Sequence, residues 1–376
     1  MNLKALLKSN KKLIFKFCLL IGCFLIMTLF IFNNESFYKR TIIKITDIST
    51  SNAGINTSPT GKTENTFTQN IKAKILNGKY KGHTVSLDNS YSESEITSAK
   101  YNKGDKLFAS IKKSNHKLTA TNISQKRDSF LFLLIGMVVL LLIFTSGRLG
   151  FLTLISVIIN ICYFIYCMNF ITEDSVNFPV WICEIILFTV VTLILVSGFH
   201  LKTLGAIIST LASVLIIAVL YYVTIYANGD LPYDMQQYEV ASLPLKDIFF
   251  LSSLLGLLGA VMDNSITINT AVSEIVTTNP SVSYSKLVNS IYEIIYDVMG
   301  TMINVLFFAY LSSSLPIIIL KLSNGYNLIS VFTIDYIFDI VRFLIGSIGI
   351  VISLPISGII AVLLFKKVKK GFRKCE

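Results

Sequence analysis

The side chains that could do chemistry in this chain sit where acids are costly. The stretch Ser252 to Glu274, SSLLGLLGAVMDNSITINTAVSE, is apolar enough to enter a membrane yet carries Asp263 near its middle. At about 100° per residue, Ser252, Gly256, Gly259, Asp263, Thr267, Thr270 and Glu274 share one helical face. The opposite face is Leu, Ile and Val. A carboxylate at the centre of a span costs at least ~2.5 kcal/mol unless it is paired, solvated or protonated. A second stretch repeats the pattern: Lys286, Glu293, Asp297, Thr301, Asn304 and Ser312 fall on one face, with Gly300 beside it. The two stretches join at Asn279-Pro280, so they read as antiparallel neighbours whose polar stripes face each other. Asp263 and Asp297 then line a polar path, with Glu293 at its margin. Asn264, Thr267, Thr301 and Asn304 supply hydrogen bonds, and Gly256, Gly259, Ala260 and Gly300 allow close approach. Two acids sharing a proton could serve a relay. The alternative is that the same residues only fasten helices together.

Other charges within apolar runs are fewer. Glu184 lies about a third of the way along 178–197, and it either snorkels to the outer surface or lines a cavity. Asp335, Asp339 and Arg342 follow at spacings of four and three, which makes Asp339–Arg342 an easy structural ion pair.

Several chemistries lack their residues. No Gly-x-x-x-x-Gly-Lys-Ser/Thr phosphate loop, His-Glu-x-x-His or Gly-x-Ser-x-Gly occurs. His83, His116 and His200 are scattered, which leaves no nucleophilic triad. Cys162 and Cys167 share an apolar run with no histidine beside them, so no metal site is expected. Tyr296-Asp297 resembles half of an intramembrane aspartyl protease motif, but Asp263 follows Val261-Met262 rather than Gly-x-Gly. We therefore expect no enzyme activity and no cofactor.

The elements that position these residues follow from composition. Of 376 residues, 53% are hydrophobic and 15% charged, whereas soluble domains carry roughly a quarter charged. The net charge is +11, and much of the basic excess sits at membrane boundaries, where it sets topology rather than binding nucleic acid. The chain reads as an α-helical polytopic membrane protein of about eight transmembrane helices with a small exported all-β domain, OB-like or SH3-like. Residues 1–32 form a cytoplasmic tail and a signal-anchor helix over 13–32, and 33–66 a flexible exported stalk rich in Ser, Thr and Asn. Residues 67–128 form the β-barrel, from strands near 71–76, 81–87, 105–111 and 117–123 with a turn at Asn77-Gly78. The seven-helix membrane domain spans 129–365, with helices at 130–146, 149–168, 178–197, 202–225, 248–272, 296–320 and 337–365. A basic cytoplasmic tail closes the chain over 366–376. The positive-inside rule places Arg148, Lys202, Lys286 and the tail inside. It leaves Glu173, Asp174, Asp230, Asp234 and Glu239 outside.

At these residues a family becomes recognisable. Gly259-Ala260-Val261-Met262-Asp263 and Asp297-Val298-Met299-Gly300-Thr301-Met302-Ile303-Asn304 resemble paired motifs of the YibE/F family of bacterial multi-spanning membrane proteins. So do Ser313-Ser314-Leu315-Pro316, Gly346-Ser347-Ile348-Gly349, and Asn77-Gly78-Lys79-Tyr80-Lys81-Gly82 with Lys103-Gly104-Asp105-Lys106. Relatives tend to carry Arg where this chain has Tyr296. The resemblance implies a permease or exporter component of the bacterial plasma membrane, handling an unidentified small solute. The expected partners are the lipid bilayer and a second membrane subunit or second copy. The competing reading is a non-transporting scaffold or envelope sensor whose β-domain binds a partner.

Overall fold

The computed structural model describes residues 20–57, 61, 63–95, 98–114, 117–171, 176–227, 231 and 244–372. The expected N-terminal tail, residues 13–19 of the anchor, His116, the loop acids Glu173, Asp174, Asp230, Asp234 and Glu239, and the last four residues lie outside them. The chain divides into two compact units, Met1–Gly147 and Arg148–Glu376.

In the first unit, α1 (Leu20–Phe32) leads through a 3₁₀ turn at Glu35–Phe37 into five strands. These are β1 (Thr41–Thr57), β2 (Thr63–Ile75), β3 (Thr84–Ser92), β4 (Lys106–Ser114) and β5 (Lys117–Gln125). They close a barrel in the order β1-β2-β3-β5-β4, with β4 returning to β1 and one parallel pairing, β3 to β5 at Ser86↔Thr119. That order is OB-like. The period-2 alternation of each strand sends Ile43, Ile45, Ile71, Ala73, Ile75, Val85, Leu87 and Leu107 inward as one core.

The expected flexible stalk over 33–66 is corrected here. β1 pairs with β2 from Ile43↔Ile75 to Thr57↔Thr63, so the barrel begins at Thr41 rather than at 67. The Ser, Thr and Asn content that reads as coil is equally compatible with a ladder whose two faces are wet. The β-branched Thr41, Ile42, Ile43, Ile45, Thr46 and Ile48 favour the ladder. Beyond Gly54↔Thr66 the hairpin continues past the paired residues of β3, its β1 side exposed and Glu64 and Asn65 of β2 half-buried. The unit ends in α2 (Asp128–Ser146), whose Gly136 lies directly against the Phe24 ring of α1.

The second unit is helical: α3 (Arg148–Met168), α4 (Phe178–Ser197), α5 (Leu201–Ala227), α6 (Leu245–Thr278), α7 (Tyr284–Ser323), the short α8 (Leu328–Ser330), a π-helical turn at Val331–Tyr336, and α9 (Ile337–Phe372). With α2, seven helices among the described residues are long and apolar enough to cross a membrane. The shorter apolar α1 belongs with them in character. α6 and α7 run to 34 and 40 residues, well beyond the expected 248–272 and 296–320. The polar start of α7 is helical because Ser283 caps it, its hydroxyl accepting from Lys286 N at 3.4 Å.

Helices α5, α6 and α9 form the centre. Ser253 bonds Arg342 and Asn264 bonds Ser353, each pair 89 residues apart, so α6 and α9 run parallel in register. α7 returns antiparallel to α6: a Cβ built on Gly256 would sit 3.2 Å from the Tyr310 hydroxyl. Glycines set the other close approaches. A Cβ on Gly346 would meet Leu257 at 2.5 Å and Leu306 at 2.8 Å, and one on Gly349 would meet Ile217 at 2.8 Å. Gly259 and Gly300 do not have the expected packing role, because nothing lies within 4 Å of a Cβ at either.

Candidate functional site

The polar residues of the central trio form two layers separated by an apolar one. In the first, α5 contributes Ser209, Thr210 and Ser213, α6 contributes Asn264, Ser265 and Asn269, and α9 contributes Ser353 and Ser357. All eight are fully buried. Each helix supplies them at spacings of one, three, four or five residues, so they share the inward face. Asn269 Nδ2 donates to Ser209 Oγ at 3.1 Å and to Ser265 O at 2.8 Å. Ser265 and Ser357 hydroxyls lie 3.1 Å apart, and Asn264 Nδ2 donates to Ser353 Oγ at 3.4 Å. Ser209, Ser353 and Ser357 spend their own protons on the backbone carbonyls of Gly205, Ile350 and Ser353.

This arrangement leaves two amide acceptors and three hydroxyls, each both donor and acceptor, unused. Asn264 Oδ1, Asn269 Oδ1 and the hydroxyl oxygens of Thr203, Thr210 and Ser213 are buried with no hydrogen-bond partner. Orphaned buried groups cost about 1–3 kcal/mol each, and native structures contain few. From Thr203 to Ser213 the polar lining runs ten residues along α5, roughly 15 Å of helix, about half the hydrocarbon thickness of a bilayer. A neutral, oxygen-rich interior of this kind accepts hydrogen bonds from water or a polar solute, or replaces part of a cation's hydration shell.

The second layer is charged. Arg342 of α9 donates from Nε to Ser253 Oγ at 3.2 Å, from Nη2 to Ser252 Oγ at 3.1 Å and from Nη1 to Asp339 Oδ1 at 3.1 Å. Its guanidinium carbon lies 4.7 Å from the centre of the Phe249 ring. The Ser314 hydroxyl of α7 donates to Asp339 Oδ2, and the Tyr221 hydroxyl of α5 to Arg342 O at 3.4 Å. The expected ion pair is therefore the hub of a network that joins four helices. Asp335 pairs instead with Lys321, at 2.7 Å. From Ser253 to Asn264 is eleven residues, roughly 16 Å along the helix. Between them lie Ile217, Leu254, Leu257, Leu258, Val261, Ile345 and Ile350, all in one buried core.

The two stripes expected to face each other do not. On α6, Ser252, Gly256, Gly259 and Asp263 are exposed, and on α7 Glu293, Asp297, Gly300, Thr301 and Asn304 are exposed. α7 packs through Leu287, Ile291, Ile295 and Leu306, with Val298 and Met302 on the same side, and Asp297 points away from that face. Neither Asp263 nor Asp297 has a hydrogen bond or ion pair among the described residues. Taking Gly256 opposite Tyr310 as the register, Asp297 falls opposite Asn269, roughly 9 Å along the axis from the level of Asp263. Thr301 and Asn304 bond only their own helix, to Val298 O at 2.8 Å and Gly300 O at 2.9 Å. Large apolar side chains win the helix interface because they bury more area than the stripe could. Of the expected site residues, Asn264 alone is fully buried, in the inner layer; Thr267 and Ala260 are half-buried. Sequence reasoning passed over Ser209, Thr210, Ser213, Asn269, Ser353 and Ser357. Their signal was the i, i+4 recurrence of small polar residues, as in Gly205-Ser209-Ser213 and Ser353-Ser357.

Comparison with known proteins bears on the whole chain. Residues 134–367 match the model of the YibE/F-like protein, and residues 36–126 match that of the YibE/F family N-terminal domain. No curated protein and no solved structure matches the chain. The first match alone covers more than half of the sequence, and it contains the inner polar layer, the Arg342 hub and both exposed aspartates: the chain belongs to the YibE/F family.

Proposed function

We propose that this protein is the membrane component of a permease or exporter, and that its solute path runs through α5, α6 and α9. The observation that carries this reading is the set of buried polar oxygens without partners, the amide acceptors of Asn264 and Asn269 and the hydroxyls of Thr203, Thr210 and Ser213. A helix bundle that needed only to hold together would leave fewer. The layer of Leu257, Ile217 and Ile350 between the oxygens and Arg342 is then the closed gate, and Gly346 and Gly349 are where α9 packs tightly against Leu257 and Ile217. On this reading the chain works in a bacterial plasma membrane, catalyses no covalent chemistry and takes its energy from an ion gradient or a partner. The exposed acidic faces of α6 and α7 meet a water-filled cleft or a further membrane-embedded chain, since lipid alone would leave Asp263 and Asp297 at a cost of a few kcal/mol each.

The test is access. With the native cysteines replaced, Ser213→Cys and Asn269→Cys in proteoliposomes should react with a membrane-impermeant thiol reagent from one side. Enlarging the gate with Leu257→Ala should open the other side. Both cysteines staying inert from both sides, in wild-type and Leu257→Ala backgrounds alike, would rule the path out.

A second reading has its own support. Asn264–Ser353 and Ser265–Ser357 join α6 to α9 directly, which is what a static scaffold or envelope sensor requires. It predicts that Asn264→Leu lowers stability in detergent while solute access never existed.

A further inference from the structure

Glu184 is a buried acid that the path above does not use. It lies in α4 with 0% of its surface exposed, and neither Oε1 nor Oε2 has a hydrogen-bond partner. It does not snorkel. One turn earlier on the same helix the Trp181 indole, 3% exposed, has its Nε1–H unpartnered as well. From α3 the fully buried Cys167 thiol faces the carboxyl, short of hydrogen-bonding geometry, with Tyr163 one turn before it, and Cys183 is adjacent on α4. α5 and α6 also pack on α4, and no ion pair or hydrogen bond from either reaches Glu184. Among the described residues there is no metal-binding cluster of three His, Cys, Asp or Glu. An ionised carboxylate at this position would be held out of water with no countercharge. A neutral acid there lacks only hydrogen bonds, a far smaller penalty.

We propose that Glu184 is a proton-binding site: a carboxylic acid that keeps its proton while α3 and α4 are in contact and exchanges it when that contact opens. The Trp181 N–H is the donor within one turn that a newly formed carboxylate could use. The site stands on the α3/α4 geometry. Its service as the coupling site for transport rests on the permease reading above.

The experiment treats the full-length protein in membranes at neutral pH with dicyclohexylcarbodiimide, an apolar reagent that reacts with protonated carboxyls. The carboxyl proton moves to one carbodiimide nitrogen and the carboxyl oxygen adds to the central carbon. The resulting O-acylisourea rearranges by acyl migration to a stable N-acylurea, with nothing lost, so the peptide gains the whole mass of the reagent. Mass spectrometry should find Glu184 modified, and a water-soluble carbodiimide should leave it unmodified. In parallel, infrared difference spectra of wild type against Glu184→Gln should lose one protonated-carboxyl C=O band. Glu184 remaining unmodified at saturating dicyclohexylcarbodiimide, or the lost band belonging to an ionised carboxylate, overturns the assignment. Proton flux in acid-loaded proteoliposomes, read with a pH-sensitive dye, separates the two claims. Flux that falls at least tenfold on modification supports coupling, and unchanged flux with Glu184 modified overturns the coupling while the proton site stands.

Discussion

Asn77 satisfies four backbone groups at the base of the barrel. Its Oδ1 accepts from Ile42 N at 2.6 Å, and its Nδ2 protons are shared among the carbonyls of Glu35, Tyr38 and Arg40 at 2.9, 3.0 and 3.0 Å. Gly78, at φ 78°, makes the turn that presents it. Each such bond is worth about 1 kcal/mol net, so Asn77→Ala should cost about 3 kcal/mol. Thermal unfolding and amide hydrogen exchange check this, with Ile42 N–H exchanging fastest; wild-type protection there would remove the clip. Glu35, beside it, makes a pH prediction. Burial pushes its carboxyl up, but the Lys106 hydrogen bond and the Lys106 and Lys126 charges outweigh that, and the net direction is down. An acid whose folded pKa is depressed stabilises above its unfolded value and loses that contribution as pH falls. Protection of the 35–42 segment should therefore decline below about pH 4.5, the ordinary range of a glutamate, and Glu35→Gln should flatten the decline. The Asn77-Gly78 turn was legible in the sequence, because turn chemistry is local. The four partners were not, since they lie 35 to 42 residues upstream, beyond the reach of any local pattern.

The helices teach the same distinction between local and tertiary signals. Hydrophobic runs located all seven long helices, and a small polar stripe was visible on α6. Which face each helix turns inward was not legible, because a stripe of Gly, Ser and Asp competes with Leu257, Leu258 and Val261 for the same interface. The glycines test the outcome. Gly346→Ala would drive a Cβ onto Leu257 and Leu306, and overpacking of this kind costs typically about 1–3 kcal/mol. Gly259→Ala and Gly300→Ala have open space and should each stabilise by up to about 1 kcal/mol through helix propensity. Unfolding monitored in detergent gives the order. If Gly259→Ala destabilises as much as Gly346→Ala, then α6 is turned the other way and the stripe is an interface within this bundle.

The two units carry one further prediction about how the chain crosses the bilayer. If the seven long apolar helices and α1 all cross the membrane, the crossings number eight, and the segments before α1 and after α9 are predicted to share a side. The basic residues decide which side, because Lys and Arg in short loops are retained in the cytoplasm. Arg148 precedes α3, Lys202 opens α5, Lys286 opens α7 and the run from Lys366 to Lys370 closes α9. The opposite ends of α3 to α9 hold only Lys246 and Lys321 as basic residues, among the acids Glu173, Asp174, Asp230, Asp234, Glu239 and Asp247, so the basic excess predicts which ends are cytoplasmic. On this prediction the barrel lies on the opposite side of the membrane from the basic ends. Single cysteines in a cysteine-free background would report this with an impermeant thiol reagent on intact cells. Lys81→Cys in the barrel and Asn324→Cys after α7 should label from outside, and Ser281→Cys between α6 and α7 only after the membrane is broken. Labelling of Ser281→Cys and Lys81→Cys from the same side would mean an even number of crossings between them, where α2 to α6 make five. One of the helices would then lie along the membrane rather than through it. The first to suspect is α2, which has only 6% of its apolar window buried and so depends on lipid, more than on packing, to hold it in place.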